Sequence, residues 1–150
     1  MIMKTTRSII DYGAIRTWLA LMVATLVLAA CTAKVDESQI IIRDHIAYLK
    51  GKEEPFTGTV VGKGKEGYRS HVCTFEKQYK DGLLDGRSEY WYMNGKLESM
   101  VPYKMGEIHG MVTRYYENGK IRARIHFVDG LRGGSKGEMF WDKEGNRVKG

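Results

Sequence analysis

The chain has 150 residues, of which 28% are charged and 43% hydrophobic, and it carries a net charge of +6. This length allows no more than one domain beside a targeting segment. The basic residues are spread along the chain rather than clustered, which argues against a nucleic-acid partner. The two cysteines, Cys31 and Cys73, are not expected to form a disulfide, because Cys31 lies in a processing context described below.

The first predicted element is a signal peptide over residues 1–30. Lys4, Arg7 and Arg16 make the amino end basic, and Trp18–Ala30 is a run of thirteen almost entirely apolar or small residues. That run is too short to cross a bilayer about 30 Å thick as a helix. It has the length and the small-residue ending of a signal-peptide hydrophobic region. A buried core helix is the alternative, but nothing downstream has a helical pattern for it to pack against.

The end of this run predicts where the chain is processed. Leu28, Ala29 and Ala30 stand immediately before Cys31 and resemble the lipobox of bacterial lipoproteins. The resemblance implies diacylglycerol on the Cys31 thiol, cleavage before that residue, and acylation of the new amino terminus. Two or more acyl chains anchor a protein stably, at about 0.8 kcal/mol per buried methylene. We therefore expect an exported protein, lipid-anchored in the bacterial envelope at the outer membrane or the cell surface.

The mature chain would begin with a polar tether over residues 31–39, followed by a repeat domain over residues 40–150. Within that domain, Ile40–Leu49 predicts two strands around an Arg43-Asp44 turn, and Pro55–Val61 predicts another strand. The glycine-rich residues 62–67 are expected to form a mobile loop. Cys73 follows in a strand pattern, where a small buried hydrophobic residue is favoured over a reactive thiol.

From Tyr79 the sequence repeats with a period of 24 residues. YKDGLLDGRSEYWYMNGKLES, from Tyr79, aligns with YKMGEIHGMVTRYYENGKIRA, from Tyr103, and a third copy begins at Phe127. Catalytic groups are rarely needed three times at a fixed spacing, whereas a supersecondary unit is. The recurring glycines are therefore assigned to structural turns, and these are Gly82, Gly95, Gly106, Gly119 and Gly130.

Between the glycines the pattern is that of strands. In Ile121–Phe127 apolar residues alternate with basic ones, which indicates a half-buried strand with one solvated face. Asn94-Gly95 and Asn118-Gly119 predict two-residue hairpin turns, as do Asp81-Gly82 and Asp129-Gly130 at the other end of the unit. The fold class is thus all-β, an elongated antiparallel β-meander of hairpin repeats.

These units resemble the MORN-repeat variant found in bacteria. The preceding YLKGKEEPFTGTVV resembles the segment that often leads such arrays, and the combination is similar to the YwqK-type antitoxin family. The resemblance covers residues 40–150. It implies a repeat sheet that binds a protein, and the family label implies that the protein is a toxin.

No constellation of residues indicates an enzyme, a metal site or a cofactor. The four histidines, His45, His71, His109 and His126, never stand at short metal-ligand spacing with a second ligand. No serine has the context of a nucleophile elbow. We therefore predict a non-catalytic protein without a cofactor.

Aromatic residues recur at one level of every copy and are the candidate partner-binding site. They are Tyr90, Trp91, Tyr92, Tyr115, Tyr116, Phe140 and Trp141. Adjacent strand residues point to opposite faces of a sheet, so this set places aromatic rings on both sides. Cross-strand packing, worth about 0.2–1 kcal/mol per pair, is the simpler role. One side is available as an interface, because Tyr and Trp are favoured as anchors.

Three functions remain open at this point. The first is a lipid-anchored envelope protein whose repeat sheet binds a protein partner as a scaffold or adaptor. The second is a toxin-neutralising partner, which as an exported protein would meet an incoming or surface toxin. The third is binding to anionic lipid through four basic residues, Arg122, Arg124, Lys96 and Lys120.

Overall fold

The computed structural model describes residues 33–64, 72–133 and 137–149, without the side chains of Val72 and Cys73. The predicted signal peptide, the lipid-attachment site Cys31 and the packing of Cys73 lie outside what is described. Within the described part, the chain forms thirteen strands and one 3-10 turn, Glu37–Gln39.

The strands fall in chain order. β1 to β6 are Lys34–Asp36, Ile40–Arg43, Ile46–Leu49, Gly58–Lys63, Val72–Lys80 and Leu83–Tyr92. β7 to β13 are Leu97–Lys104, Glu107–Ile108, Gly110–Tyr115, Ile121–Val128, Leu131–Arg132, Glu138–Trp141 and Arg147–Val148. The described residues contain no helix that is long and apolar enough to cross a membrane. The predicted all-β fold class is confirmed.

One sheet holds eleven of these strands in the order β1-β4-β5-β6-β7-β9-β10-β12-β13, with β8 paired to β7 and β11 paired to β10. From β4 onward each strand runs antiparallel to its neighbour, as a meander requires. β1 differs from the prediction, because it runs parallel to β4. The chain leaves β1 and forms the separate β2–β3 hairpin before it returns to the sheet, and such a crossover is what a parallel pair needs.

Residues 34–39, predicted as a tether, are instead part of the fold. The Ala33 carbonyl accepts a hydrogen bond from the Thr59 N–H (2.7 Å), so the chain joins the sheet edge from residue 33 onward. The Asp36 side chain then accepts from the Ser38 N–H (2.9 Å) and caps the 3-10 turn. Polar composition predicted a solvated linker here, but backbone pairing needs no apolar side chains.

The apolar core lies at the leading end of the sheet. Phe56, Val60 and Phe75 form its buried centre, and Ile40 and Leu49 of the β2–β3 hairpin pack against them. Burying each large apolar side chain contributes roughly 1.5–3 kcal/mol. The hairpin therefore acts as a cover for the first strands of the sheet.

A row of cross-strand partners shows which residues lie on the same face of the sheet. Residues opposite each other on neighbouring strands share a face. From β4 to β13 this row is Gly62, Phe75, Tyr90, Ser99, Arg114, Ala123, Phe140 and Val148. We call the face that carries it the tyrosine face. Three residues directly follow a member of that row along their strands, and they are Trp91, Tyr115 and Trp141. They therefore point to the opposite side of the sheet, which we call the tryptophan face.

Two-residue turns join the strands at one end of the repeats. Asp81-Gly82 has φ values of 49° and 79°, and Asp129-Gly130 has 46° and 76°. Two successive positive φ values are those of a type I′ hairpin turn, whose twist matches the strands. Met105-Gly106 has the same geometry, with φ of 51° and 89°, although a methionine is uncommon at positive φ.

Three-residue loops join the strands at the other end, where the Asn-Gly pairs had predicted two-residue turns. In the loop Met93–Gly95, the Tyr92 N–H donates to the Lys96 carbonyl (2.8 Å) and the Gly95 N–H donates to the Tyr92 carbonyl (3.0 Å). Gly95 has positive φ (76°) whereas Asn94 does not, as in a type I turn followed by a left-handed residue. The same pair of bonds closes the loops Glu117–Gly119 and Lys143–Gly145.

A β-bulge follows the first of these loops. Trp91 pairs with Leu97 and Tyr90 pairs with Ser99, so Glu98 is an extra residue in β7. Glu98 is only 4% exposed, and its carboxylate accepts a hydrogen bond from the Ser99 hydroxyl (2.5 Å). The bulge therefore turns Glu98 to the same side as Ser99, the tyrosine face.

We predict that two turn glycines differ in how much they contribute to stability. Gly82→Ala should lower the free energy of unfolding more than Gly95→Ala. Both residues have positive φ, which costs a residue with a Cβ about 1–2 kcal/mol. A Cβ at Gly82 would also meet the Ile46 side chain and the Ala47 backbone, whereas a Cβ at Gly95 would meet nothing within 4 Å. Urea unfolding of the two variants measures the difference, and equal losses would contradict close packing at Gly82.

Candidate functional site

The asparagine and lysine of the first loop bind the second loop. The Asn94 side chain accepts from the Lys96 N–H (3.0 Å) and donates to the Glu117 carbonyl (3.1 Å). The Lys96 ammonium donates to the Asn118 carbonyl (3.2 Å). Both side chains of the Asn-Gly-Lys motif are thus engaged with the main chain of the following repeat.

The second loop makes the same bonds to the third. The Asn118 side chain accepts from the Lys120 N–H (2.9 Å) and donates to the Lys143 carbonyl (2.9 Å). The Lys120 ammonium donates to the Glu144 carbonyl (2.7 Å). Because a typical hydrogen bond contributes about 0.5–1.5 kcal/mol net, each loop adds a small increment of stability to its neighbour.

The glycine turns form a second line of bonds between repeats. Each glycine donates its N–H to a carbonyl one repeat earlier, in the pairs Gly82 to Phe56 (2.9 Å), Gly106 to Leu84 (2.8 Å) and Gly130 to Ile108 (2.9 Å). The residues after Phe56 and Leu84 also correspond, since Thr57 accepts from the Asp81 N–H (2.9 Å) and Asp85 accepts from the Met105 N–H (3.1 Å). The segment that precedes the first repeat therefore makes the same contacts as a repeat from Phe56 onward.

Two of the predicted partner-binding aromatic residues form hydrogen bonds between repeats, and we call them the tyrosine struts. The Tyr92 hydroxyl donates to the Tyr115 carbonyl (2.6 Å), and one repeat later the Tyr116 hydroxyl donates to the Trp141 carbonyl (2.8 Å). Tyr92 is 6% exposed, and burial raises the pKa of its hydroxyl. These tyrosines join strands of adjacent repeats, so they are poorly placed to act as free anchors.

The third copy has no tyrosine at this position. Asp142 stands there instead, and its carboxylate accepts from the Asn146 N–H (2.8 Å) and from the Asn146 side chain (3.1 Å). The side-chain and backbone hydrogen bonds from Asn146 lower the pKa of the Asp142 carboxyl. This loop therefore closes on itself, where the first two loops bond to the loop that follows.

Three of the predicted aromatic residues form a ladder on the tryptophan face. They are Trp91, Tyr115 and Trp141, which stand two residues before the three loops, and each is half-buried. They stand on β6, β9 and β12, with one strand between each pair. Two strand spacings amount to about 9.5 Å. The structure thus brings these three residues of the predicted set to one surface at regular intervals.

Two members of the predicted set remain, Tyr90 and Phe140, and Tyr90 belongs to the leading core. Its ring centroid is 6.3 Å from that of Phe75, and the Lys77 ammonium lies 4.3 Å from the Phe75 ring and 5.9 Å from the Tyr90 ring. Burial lowers the pKa of Lys77. Contacts at this distance are typical of cation–π pairs. Tyr90 therefore has a packing role.

The four basic residues proposed for lipid binding do not share one surface. Lys96 and Lys120 hold the following loops through their ammonium groups. The Arg122 guanidinium lies 5.8 Å from the Tyr116 ring, beside the tyrosine struts, whereas Arg124 pairs with Thr113 and is exposed on the tryptophan face. Alternation along β10 predicted that Arg122 and Arg124 would point the same way, and a bulge in β10 between Ile121 and Ala123 explains the difference.

A groove runs along the loops beside the tyrosine struts. Its lining residues are Tyr92, Asn94, Tyr116, Glu117, Asn118, Arg122 and Lys143. Most of its polar groups are engaged in the inter-repeat bonds described above. Arg122 differs, because it is exposed and its guanidinium lies 5.8 Å from the Tyr116 ring.

In the described residues, no group of three His, Cys, Asp or Glu side chains is placed to hold a metal ion. His109 was predicted to be a polar turn residue, and its Nδ1 lies 3.0 Å from the Asp129 carboxylate in the turn of the next repeat. It thereby makes a contact analogous to that of Asp85 with Met105. The geometry gives His109 a structural partner.

These bonds define a repeat protein in which each hairpin unit is tied to the next. The family model described as MORN repeat variant matches residues 84–105 and 108–129. The matched stretches begin at Leu84 and Ile108, whose carbonyls accept the bonds from the turn glycines. The match covers two repeats between residues 84 and 129, and it supports a MORN-repeat architecture for this part of the chain. Comparison with curated proteins and with solved structures finds no match.

We predict that the tyrosine struts stabilise the array. Tyr92→Phe should lower the free energy of unfolding by about 0.5–1.5 kcal/mol, because it removes the bond to the Tyr115 carbonyl. Tyr115→Phe is the matched control, since that residue lies on the opposite face. Chemical denaturation of both variants is the measurement, and an unchanged Tyr92→Phe midpoint would contradict the role of the hydroxyl.

Proposed function

We propose that this protein is a lipid-anchored envelope protein whose repeat sheet binds a protein partner through the tryptophan face. The observation that carries the proposal is the ladder of Trp91, Tyr115 and Trp141. These side chains stand at equivalent positions of three copies and are half-buried rather than enclosed. Tyr and Trp are enriched among the residues that dominate binding energy at protein interfaces.

The different contacts of the aromatic residues on the two faces support the choice of the tryptophan face. Tyr92 and Tyr116 are engaged with carbonyls of the next repeat, and Tyr90 packs against Phe75. The rings on the tryptophan face have no comparable hydroxyl bonds to the following repeat within the described residues. A rigid sheet presents such rings with little loss of conformational entropy, which favours binding.

Lipid anchoring is proposed from the residues before Cys31, which resemble a lipobox. A toxin as the partner is the narrower form of the proposal, and it rests on the resemblance to the YwqK-type antitoxin family. An exported copy would act on an incoming or surface toxin, so a toxin-like gene beside this one would support that form. Anionic lipid is a weaker candidate, because its four basic residues are divided between different surfaces.

We predict that substitutions in the tryptophan ladder weaken partner binding more than they lower the stability of the fold. Trp91→Ala, Tyr115→Ala and Trp141→Ala should each weaken capture of the partner from the native envelope by roughly 2 kcal/mol or more, as expected for interface anchors. Half-buried rings also contribute to packing, so each variant is melted as well. Tyr92→Phe serves as the control that alters stability while leaving the tryptophan face intact. If capture falls only in proportion to the melting temperature across all four variants, the ladder is packing and the proposal fails.

We predict that Cys31 carries the lipid. Cys31→Ser should accumulate as an unprocessed precursor that takes up no labelled fatty acid, because the thiol is the acceptor for diacylglycerol. Cys73→Ser is the matched control and should be labelled normally. Acyl labelling that persists in the Cys31→Ser protein would refute lipid attachment at this residue.

A further inference from the structure

We propose that Arg114 and Arg122 form an anion-binding site that takes a carboxylate side chain of a protein partner. The site lies on the tyrosine face, opposite the tryptophan ladder, and so extends the proposed binding function to a second surface. Its basis is the geometry of the second repeat, where two arginines meet across a strand pair.

The bulge in β10 brings these arginines opposite each other. Tyr115 pairs with Ile121 and Arg114 pairs with Ala123, so Arg122 is the extra residue of the bulged strand. In a bulge, two residues of one strand oppose a single residue of the other. Here the two are Arg122 and Ala123, and the single residue is Arg114. The equivalent bulge in the first repeat sets Glu98 and Ser99 opposite Tyr90.

Arg114 occupies a position that other copies fill with an aromatic ring. In the cross-strand row of the tyrosine face, it stands in the slot of Tyr90 one repeat earlier, and Phe140 belongs to the same row. Its direct neighbours in the row, Ser99 and Ala123, are 0% and 4% exposed. An arginine at this half-buried position contributes less apolar packing than the ring it replaces, so packing alone does not account for it.

The Arg114 guanidinium has an unmet hydrogen-bonding requirement. Its Nε is buried and has no hydrogen-bond partner. Within the described residues, neither Arg114 nor Arg122 forms an ion pair. Buried N–H groups are normally satisfied, and like charges opposite each other on neighbouring strands are unfavourable. An anion held by the terminal N–H groups of both guanidinium groups would offset the repulsion between them.

A carboxylate suits this site better than a phosphate. The planar guanidinium fork matches the two oxygens of a carboxylate. Glu117 lines the adjoining groove and Glu98 lies beside Ser99, so two acids already surround the two arginines. A monoanion adds less repulsion from these acids than a phosphate dianion does. The half-buried ring of Tyr116 borders the groove and offers apolar contact to a residue that flanks a carboxylate in a peptide.

The test uses acetyl-Trp-Glu-Trp-amide as the probe and the same peptide with Gln in place of Glu as its neutral counterpart. The Arg114 Nε–H resonance of the folded chain should shift and saturate with the Glu peptide, and binding of the Gln peptide should be at least tenfold weaker. Arg114→Tyr should reduce binding of the Glu peptide at least tenfold, as measured by calorimetry. That variant restores the residue found at the equivalent position of the first repeat, so it should remain folded. Arg122→Gln should reduce binding at least fivefold.

Arg124→Gln is the control, because it removes an exposed arginine of the same strand from the opposite face and should leave binding unchanged. Equal binding of the Glu and Gln peptides, or no shift with either, would overturn the inference. It would also be overturned if inorganic phosphate or phosphatidylglycerol vesicles bound more tightly than the peptide in a manner dependent on Arg114. The ladder variants leave Arg114 in place, so a failure here is distinguishable from a failure of the tryptophan-face proposal.

Discussion

Main-chain carbonyls that accept hydrogen bonds from a neighbouring repeat hold this protein together. The glycines of the two-residue turns donate to a carbonyl of the preceding copy, and the loop Asn and Lys side chains donate to carbonyls of the following copy. The asparagine, the lysine and the glycine of the two-residue turn thus each have a partner outside their own unit. Because contacts of this kind join only adjacent repeats, stability is expected to grow as a sum of nearest-neighbour terms.

Such a sheet needs an apolar cover at some point, because a hairpin repeat cannot bury its apolar side chains alone. The β2–β3 hairpin supplies it by placing Ile40 and Leu49 against Phe56, Val60 and Phe75. Further along the tyrosine face, Ser99 and Ala123 are buried together with the larger Tyr92, Val101 and Val112. The leading end is thus the part of the sheet that a separate hairpin covers, and the inter-repeat hydrogen bonds add to side-chain packing elsewhere.

The repeat and its strands were predictable because alternation and glycine spacing are local properties of the sequence. Loop length was not, since Asn94-Gly95 suits both a two-residue turn and the observed three-residue loop. The choice depends on the pairing of Tyr92 with Lys96. The parallel strand β1 could not be predicted either, because its short polar sequence pairs with a strand far along the chain. In the candidate site, the recurring aromatic residues could be predicted from the repeat period. The role of Arg114 could not, because it depends on the bulge that places Arg114 opposite Arg122.

The three-residue loops leave one side chain in each without a structural task. In the first loop this is Met93, which is 78% exposed, and its counterparts Glu117 and Lys143 are exposed as well. In the first two loops the neighbouring residues hold the loop closed and bind the next copy, and Glu117 and Lys143 contribute to these contacts only through their carbonyls. The three side chains differ in character, one apolar, one acidic and one basic. Substitutions in this column can therefore accumulate at little expense to folding, which makes it the part of the array best able to diverge in what it recognises.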